Sequence, residues 1–432
     1  MNKQGSDSGE GRNGPLSGYR VIELGSTVAG PFCARLMADF GAEVIKVEQK
    51  QGDAVRYMGN QKDGRSLYGA SILRNKKIIS VDLHQEKGRE IVRKLCEKAD
   101  IVIENFKPGT LERWGMGYET LSAGNPGLIL VRISGYGQDG PYSQRPGYGV
   151  VCEAFSGVRE VTGDPDRPPA RVAVSMTDYI TGLYGAFGAV MAVLERQRTG
   201  RGQVIDSALY EAAFSFMEPH IPAFQQLGLI ARRCGSRLPG HTPNTLFPTS
   251  DGRYIHITAG SQSIFKRLVA VMGMTELLDD PRYASPTARA QNEDATEAIV
   301  SEWTSARTLE ELERLLGEAG VPASRIFNME DIFADPHYQA RNMIVTPEDP
   351  ELGPVAMANV VPRMSSTPGA VRWAGRDIGQ DTDSVLAELL GLTPETLDAL
   401  AAQEIIYRAD ETEQVESQQG YAAIRQAVKE TQ

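Results

Sequence analysis

The amino-acid sequence predicts an α/β protein, a mostly parallel sheet covered by helices on both faces, completed by a smaller α+β domain. Three observations carry this. Short apolar runs in the first third alternate with helical stretches of 9 to 14 residues, the pattern of strand–helix–strand units. Gly41 ends the first helical run just before the next apolar run begins, the usual place of a helix-terminating glycine. From about residue 225 the alternation stops, and a Gly/Pro/Arg-rich stretch leads into several amphipathic helices.

In chain order, Arg20–Leu24 reads as the first strand, followed by a turn and a helix over Phe32–Phe40 that ends at Gly41. Glu43–Glu48 reads as the second strand and Ile78–Leu83 as the third. A helix over Glu86–Ala99 precedes strands at Ile101–Ile103 and Leu128–Val131. A long helix is expected over Asp178–Arg198, with Gly182, Gly185 and Gly188 forming a small-residue face for close packing. A strand at Gln203–Asp206 follows, then a loop over Gly235–Pro248 and a strand at Tyr254–Thr258. The stretch 335–408 is loop-rich and closes with helices over Asp383–Leu390 and Pro394–Gln403.

The 432 residues exceed what one compact core accommodates. Lys+Arg total 45 against 56 Asp+Glu, a net charge of −11, which disfavours a nucleic-acid or anionic-membrane partner because both need a basic face. No stretch is apolar over the ~20 residues that span a bilayer. Four cysteines stand far apart without a CxxC pair, and five histidines form no ligand motif, so neither a disulfide framework nor a metal site is expected. A cytoplasmic protein with reduced thiols is the default.

The first strand–turn–helix–strand, ending in Glu48, has the Rossmann-like outline of a dinucleotide site. Its turn, Gly25-Ser26-Thr27-Val28-Ala29-Gly30-Pro31, places Thr27 where the fingerprint needs glycine for close approach to a pyrophosphate. A generic βαβ unit, or one adapted to another nucleotide, is therefore favoured over NAD binding. No nucleophile elbow, phosphate loop or Cys/His pair appears. The best isolated candidate for chemistry is Asp178, at the head of the long helix. Pattern alone reads it as a cap or first-turn acid favoured by the helix dipole.

Several stretches change that reading: VIELGSTVAGPFCARLMADFGAEVIKVE at 21–48, RNKKIISVDL at 74–83, ADIVIENFKPGTLERWGMGYETL at 99–121, SGYGQDGPY at 134–142, TDYITGLYGAFGAVMAVLERQRTGRGQ at 177–203, GVPASRI at 320–326 and DPHYQARNM at 335–343. In this order and spacing, over roughly 16–407, the chain resembles a class III (formyl-CoA-transferase-like) CoA-transferase. The resemblance implies that Asp178 is the catalytic nucleophile, carrying aspartyl-anhydride and aspartyl-CoA intermediates. It implies CoA or acyl-CoA as substrate, no tightly bound cofactor, and an intertwined homodimer.

By the same resemblance, CoA runs along the first domain past Val28, Ala29, Gln49, Val81, His84, Asn105, Phe106, Lys107, Arg113, Trp114 and Tyr148. A basic patch over Arg74–Lys77, Lys107 and Arg113 is expected to hold its phosphates. His84 and Gln49 depart from the basic residues common at these positions, and Gly149 stands where the family often has Asp or Glu. Glu153, one helical turn on, is a possible substitute carboxylate, with a solvent-facing role as its ordinary explanation. Arg237 and His241 are candidates for the acceptor carboxylate. The implied layout is a polar, disordered tail over 1–15, a large CoA-binding domain over 16–224, a small domain over 225–330, a returning segment over 331–408 and a polar tail over 409–432.

The acceptor implied is a small acid such as oxalate, succinate, malate or itaconate, with acetyl-, formyl- or succinyl-CoA as donor. The nearest alternative is an α-methylacyl-CoA racemase of the same fold. Racemisation needs a second acid/base group, and Tyr148 occupies the position of the required histidine. An NAD-dependent oxidoreductase and a non-catalytic CoA-binding scaffold remain as further alternatives.

Overall fold

The computed structural model describes residues 14–409. The described chain divides into two units. One comprises the residues up to Ser156, Ala173–Glu218 and those from Ala340 onward; the other comprises Gly157–Val172 and Pro219–Gln339. Residues 157–172, expected within the large domain, belong to the smaller unit, which also ends at Gln339 rather than 330. Most of both expected tails lies outside the described residues.

The larger unit is built on strands β1 (Arg20–Glu23), β2 (Glu43–Glu48), β3 (Lys76–Val81), β4 (Ile101–Glu104), β5 (Ile129–Ser134) and β6 (Val204–Ala208). All six are parallel, in the spatial order β3-β2-β1-β4-β5-β6. The order reverses between β1 and β4, which opens a crevice beyond the carboxyl ends of the strands. Adjacent residues of the inner strands face opposite cores, so both faces of those strands are mostly apolar. Ile22, Ile45, Ile79, Val102 and Leu130 pack with Val92 and Leu95 of helix α1 (Glu86–Glu97) and with Leu386. On the other face, Val21, Val44, Ile103 and Val131 meet Cys33 and Met37 of the helix Ala29–Asp39, and Ala186 and Ala189 of the helix Met176–Thr199.

The outer edge of β3 is finished by the far end of the chain. Ile406–Tyr407 pairs with it antiparallel. The Ile78 amide donates to Asp381 Oδ2 at 2.8 Å and the Ser80 amide to Thr382 Oγ1 at 3.0 Å.

The long helix Met176–Thr199 meets its neighbours through the expected glycines. A Cβ on Gly182 would stand 2.7 Å from the Ala29 carbonyl oxygen, and one on Gly185 3.2 Å from Cys33 Sγ. By length and mean hydropathy this helix would suffice to cross a bilayer, contrary to the reading of the sequence. Its small-residue face instead lies on the sheet and the helix Ala29–Asp39.

The smaller unit holds an antiparallel sheet of Asn244–Pro248, Tyr254–Thr258 and Ala323–Arg325, with Tyr254–Thr258 in the middle. Phe247, Ile257, Phe265, Leu268, Trp303 and Leu312 form its core. Asn244–Pro248 is a strand where a loop was expected.

Candidate active site

At the crevice beyond β1, β2 and β3 lies a cleft of about 320 Å³, lined by residues including Gly25, Ser26, Gln49, Asp53, Val81, His84, Phe106 and Trp114. Phe106 and Trp114 meet edge to face, 5.1 Å between ring centroids. They give one wall an aromatic character suited to a flat heterocycle. Glu48, the acid that a dinucleotide reading would assign to a ribose, is buried and paired with Arg56 Nε at 2.9 Å.

The turn between β1 and the helix Ala29–Asp39 is held from beneath. Asn105 Oδ1 accepts from the Ser26 amide and its Nδ2 donates to the Ser26 carbonyl, both at 2.8 Å. Asp53 Oδ1 accepts from the amides of Thr27 (2.8 Å) and Val55 (2.9 Å). Thr27 has φ +72°, a left-handed conformation that disfavours a β-branched residue. Lys46 Nζ, fully buried, reaches Glu23 Oε1 (3.0 Å), Gly25 O (2.6 Å) and Asp53 Oδ2 (2.7 Å). Burial opposes the Asp53 charge, but Lys46 and these amides outweigh it and hold the carboxyl below its usual range. Lys76 shares Glu23 at 2.7 Å; burial, the largest influence, lowers it to about 8. With one carboxylate serving two ammoniums, Lys76 has the weaker hold because Lys46 also has Asp53.

Asp178 occupies the first turn of the helix Met176–Thr199, three residues after the Ser175 cap, and is half-buried. Its carboxylate abuts Gly149, the first residue of the short helix Gly149–Phe155: a Cβ there would stand 1.9 Å from Asp178 Oδ2. Cys152, one turn along, is pushed up to about 11 by burial and secondarily by the Asp178 charge. Tyr179, the residue after Asp178 in its helix, has its OH 2.8 Å from Tyr68 OH. Burial chiefly raises the Tyr68 phenol, with Tyr179 and the Asp178 charge adding to it. Val28 packs with Tyr68 and Tyr179, so the turn has the cleft on one side and the Asp178 helix on the other.

The model for "CoA-transferase family III" matches residues 16–382. The chain belongs to CoA-transferase family III. A succinyl-CoA–D-citramalate CoA-transferase from Chloroflexus aurantiacus is 45% identical over 394 residues, covering 91% of this chain and 98% of its own length. The human succinyl-CoA:glutarate CoA-transferase is 35% identical over 380 residues, covering 87% of this chain and 86% of its own. The crystal structure of a CAIB/BAIF family protein from Brucella suis aligns with a TM-score of 0.78 at 35% identity, covering 87% of this chain and 100% of that one.

Within this family III chain the implied site residues separate into groups. Gln49, Val81, His84, Phe106 and Trp114 line the cleft. Val28 and Ala29 do not: their side chains are buried behind the turn. Asn105 positions the turn. Lys107 and Arg113 are exposed outside the cleft lining. Tyr148 is 68% exposed and precedes Gly149. The expected basic patch is overturned at its core: Arg74 is buried against Asp39 at 2.7 Å, Lys76 against Glu23, and Lys77 pairs with Glu43 at 2.9 Å.

Arg237 is likewise engaged, bonding Asp294 and Glu297 at 2.7 Å each, so its guanidinium is committed within the smaller unit. His241 is exposed there. Glu153 is helical as expected but buried rather than solvent-facing. Asp53 and Lys46 escaped sequence reasoning because a short charged loop and a lysine inside a strand carry no periodic signal of their pairing.

Proposed function

We propose that this enzyme moves CoA from an acyl-CoA thioester, succinyl-CoA foremost, to a small dicarboxylic acid through covalent intermediates on Asp178. The observation that carries the proposal is the half-buried Asp178 carboxylate, held in the first turn of a long helix against side-chainless Gly149. The donor and acceptor class rest on relatives named for succinyl-CoA with D-citramalate, L-malate or glutarate.

In this mechanism an Asp178 oxygen attacks the thioester carbonyl, the C–S bond breaks, and a mixed anhydride and CoA thiolate form. The thiolate attacks the aspartyl carbonyl, expelling the donor acid and leaving an aspartyl-CoA thioester. The acceptor carboxylate attacks that thioester and releases the thiolate. The thiolate then takes the acceptor acyl group from the second anhydride and restores Asp178. No net proton is transferred and the thioester bond energy is conserved. The cleft seats the adenosine end against Phe106 and Trp114, with Gln49 and His84 at its rim and exposed Arg113 and Lys107 available to the phosphates. Tyr148, beside Gly149, borders the acyl end.

The same reading includes a homodimer. Leu183, Phe187, Met191 and Leu194 stand on one side of the Asp178 helix at 58% exposure or less but all above 40%, an apolar stripe that a second copy would cover. The four free cysteines fit a reducing, cytoplasmic setting.

The test is exchange of CoA from succinyl-CoA to a panel of dicarboxylic acids, with mass spectrometry of the Asp178 peptide after turnover with ¹⁸O-labelled acceptor. Label in Asp178 and in the released donor acid is expected. Exchange that survives Asp178→Ala refutes the mechanism.

A further inference from the structure

We infer that Gly149 is a positioning residue for the Asp178 nucleophile: the absence of a side chain there sets where the reactive carboxylate stands. The inference rests on the function proposed for Asp178 and adds to it a requirement at another position. A Cβ built on Gly149 meets Asp178 Oδ2 at 1.9 Å, Cγ at 2.7 Å and Oδ1 at 3.2 Å. The whole carboxylate therefore lies against the bare Cα at the start of the helix Gly149–Phe155, and any larger residue must displace something.

What moves is decided by how tightly each side is held. On the Gly149 side, Gly147 lies against Gly135 at the end of β5. A Cβ on Gly147 would be 2.7 Å from the Gly135 Cα, and one on Gly135 2.8 Å from the Gly147 Cα. Cys152 Sγ donates to the Gly135 carbonyl at 3.3 Å, and Cys152 is fully buried. The short helix cannot withdraw without breaking these backbone contacts.

On the Asp178 side, Gly182 is seated against the Ala29 carbonyl and Gly185 against Cys33 and Val131. Thr181 Oγ1 donates to Thr177 O at 2.7 Å, and Ser207 Oγ donates to Thr181 O at 3.3 Å. This backbone is clamped as well. Rotation of the Asp178 side chain is the adjustment that disturbs neither backbone, so a methyl group at 149 is relieved by swinging the carboxylate out of its place. Gly149 has no positive φ, so alanine is compatible with the backbone and the collision is confined to the nucleophile.

The experiment uses the full-length enzyme and four forms: wild type, Gly149→Ala, Asp178→Ala and the double variant. Gly149→Ala is expected to slow formation of the aspartyl adduct by about 100-fold, the loss that follows an ångström-scale misplacement of a reacting group. Its KM for succinyl-CoA should stay within about threefold, since the cleft is untouched. Any fall in melting temperature caused by Gly149→Ala should vanish on the Asp178→Ala background, where there is no carboxylate to strike.

Wild-type adduct formation in Gly149→Ala overturns the inference. So does a melting-temperature loss of the same size with and without the carboxylate, a comparison that stands even if Gly149→Ala is poorly folded. Exchange that persists in Asp178→Ala alone instead overturns the proposed function, so the two failures are distinguishable.

Discussion

Replacing Asp53 by alanine tests the foundation of the β1 turn. The carboxylate, 5% exposed, accepts from the Thr27 and Val55 amides and faces Lys46 Nζ at 2.7 Å. Stranding one partner of a buried ion pair costs roughly 3 to 5 kcal/mol. Lys46 keeps Glu23 and the Gly25 carbonyl, which places this part near 3 kcal/mol on that scale. The two orphaned amides add about 1 kcal/mol each at the low end. Release of Thr27 from its left-handed φ returns about 1 kcal/mol. The net loss is then about 4 kcal/mol, a fall of roughly 8 to 16 °C in melting temperature for a unit of this size.

Calorimetry of the wild type, Asp53→Ala and Asp53→Asn, with CoA affinity measured alongside, reads this directly. Asparagine retains an oxygen for the two amides and should recover about half of the loss. Because the folded carboxyl titrates below its usual range, its contribution is complete above pH ~4 and disappears as the pH falls through the folded value. A melting temperature within about 3 °C of wild type for Asp53→Ala would show that the carboxylate does not hold the turn.

Three further outcomes are expected. Burial, the largest influence, lifts Glu104 to about 7 despite Arg132 Nε at 2.7 Å. The folded state therefore keeps a proton the unfolded chain has lost. Stability should decline as pH rises from about 4.5 to 7, and Glu104→Gln should flatten that slope; parallel melting curves for the two proteins would contradict it. Gly182→Ala drives a methyl group against the Ala29 carbonyl and should cost about 1 to 3 kcal/mol in thermal unfolding, whereas an unchanged melting temperature would mean that the helices separate easily. If the proposed homodimer forms over the apolar stripe, Phe187→Asp at its 58% exposed position should yield monomer in sedimentation velocity without lowering helix content; an unchanged sedimentation coefficient would refute that interface.

The parallel sheet was legible because strands buried on both faces are continuous apolar runs, and Glu43–Glu48 coincides with its expected limits. β3 begins two residues earlier than expected because Lys76 and Lys77 read as a basic loop. Their partners, Glu23 and Glu43, come from other strands, and pairing across a sheet leaves no trace in local periodicity. The same blindness turned Arg74 into a supposed phosphate ligand. Asn244–Pro248 was hidden by its proline, tolerable at the end of an edge strand. At the site, Asp178 was named through resemblance, since spacing alone could not tell a nucleophile from a helix-dipole acid. Gly149 looked like a missing carboxylate, and only the approach of two distant segments gave its bareness a meaning.

The closure of β3 by Asp381, Thr382 and Ile406–Tyr407 has a consequence for biosynthesis. A ribosome emits β3 some three hundred residues before the segment that covers its edge. Throughout that interval the nascent sheet presents an open row of amides and carbonyls, the template on which a second chain can pair. Completion of the larger unit thus waits for synthesis of the 381–407 segment. A message truncated before codon 381 would encode every residue of the cleft and of the Asp178 helix, yet yield a protein with a permanently adhesive edge.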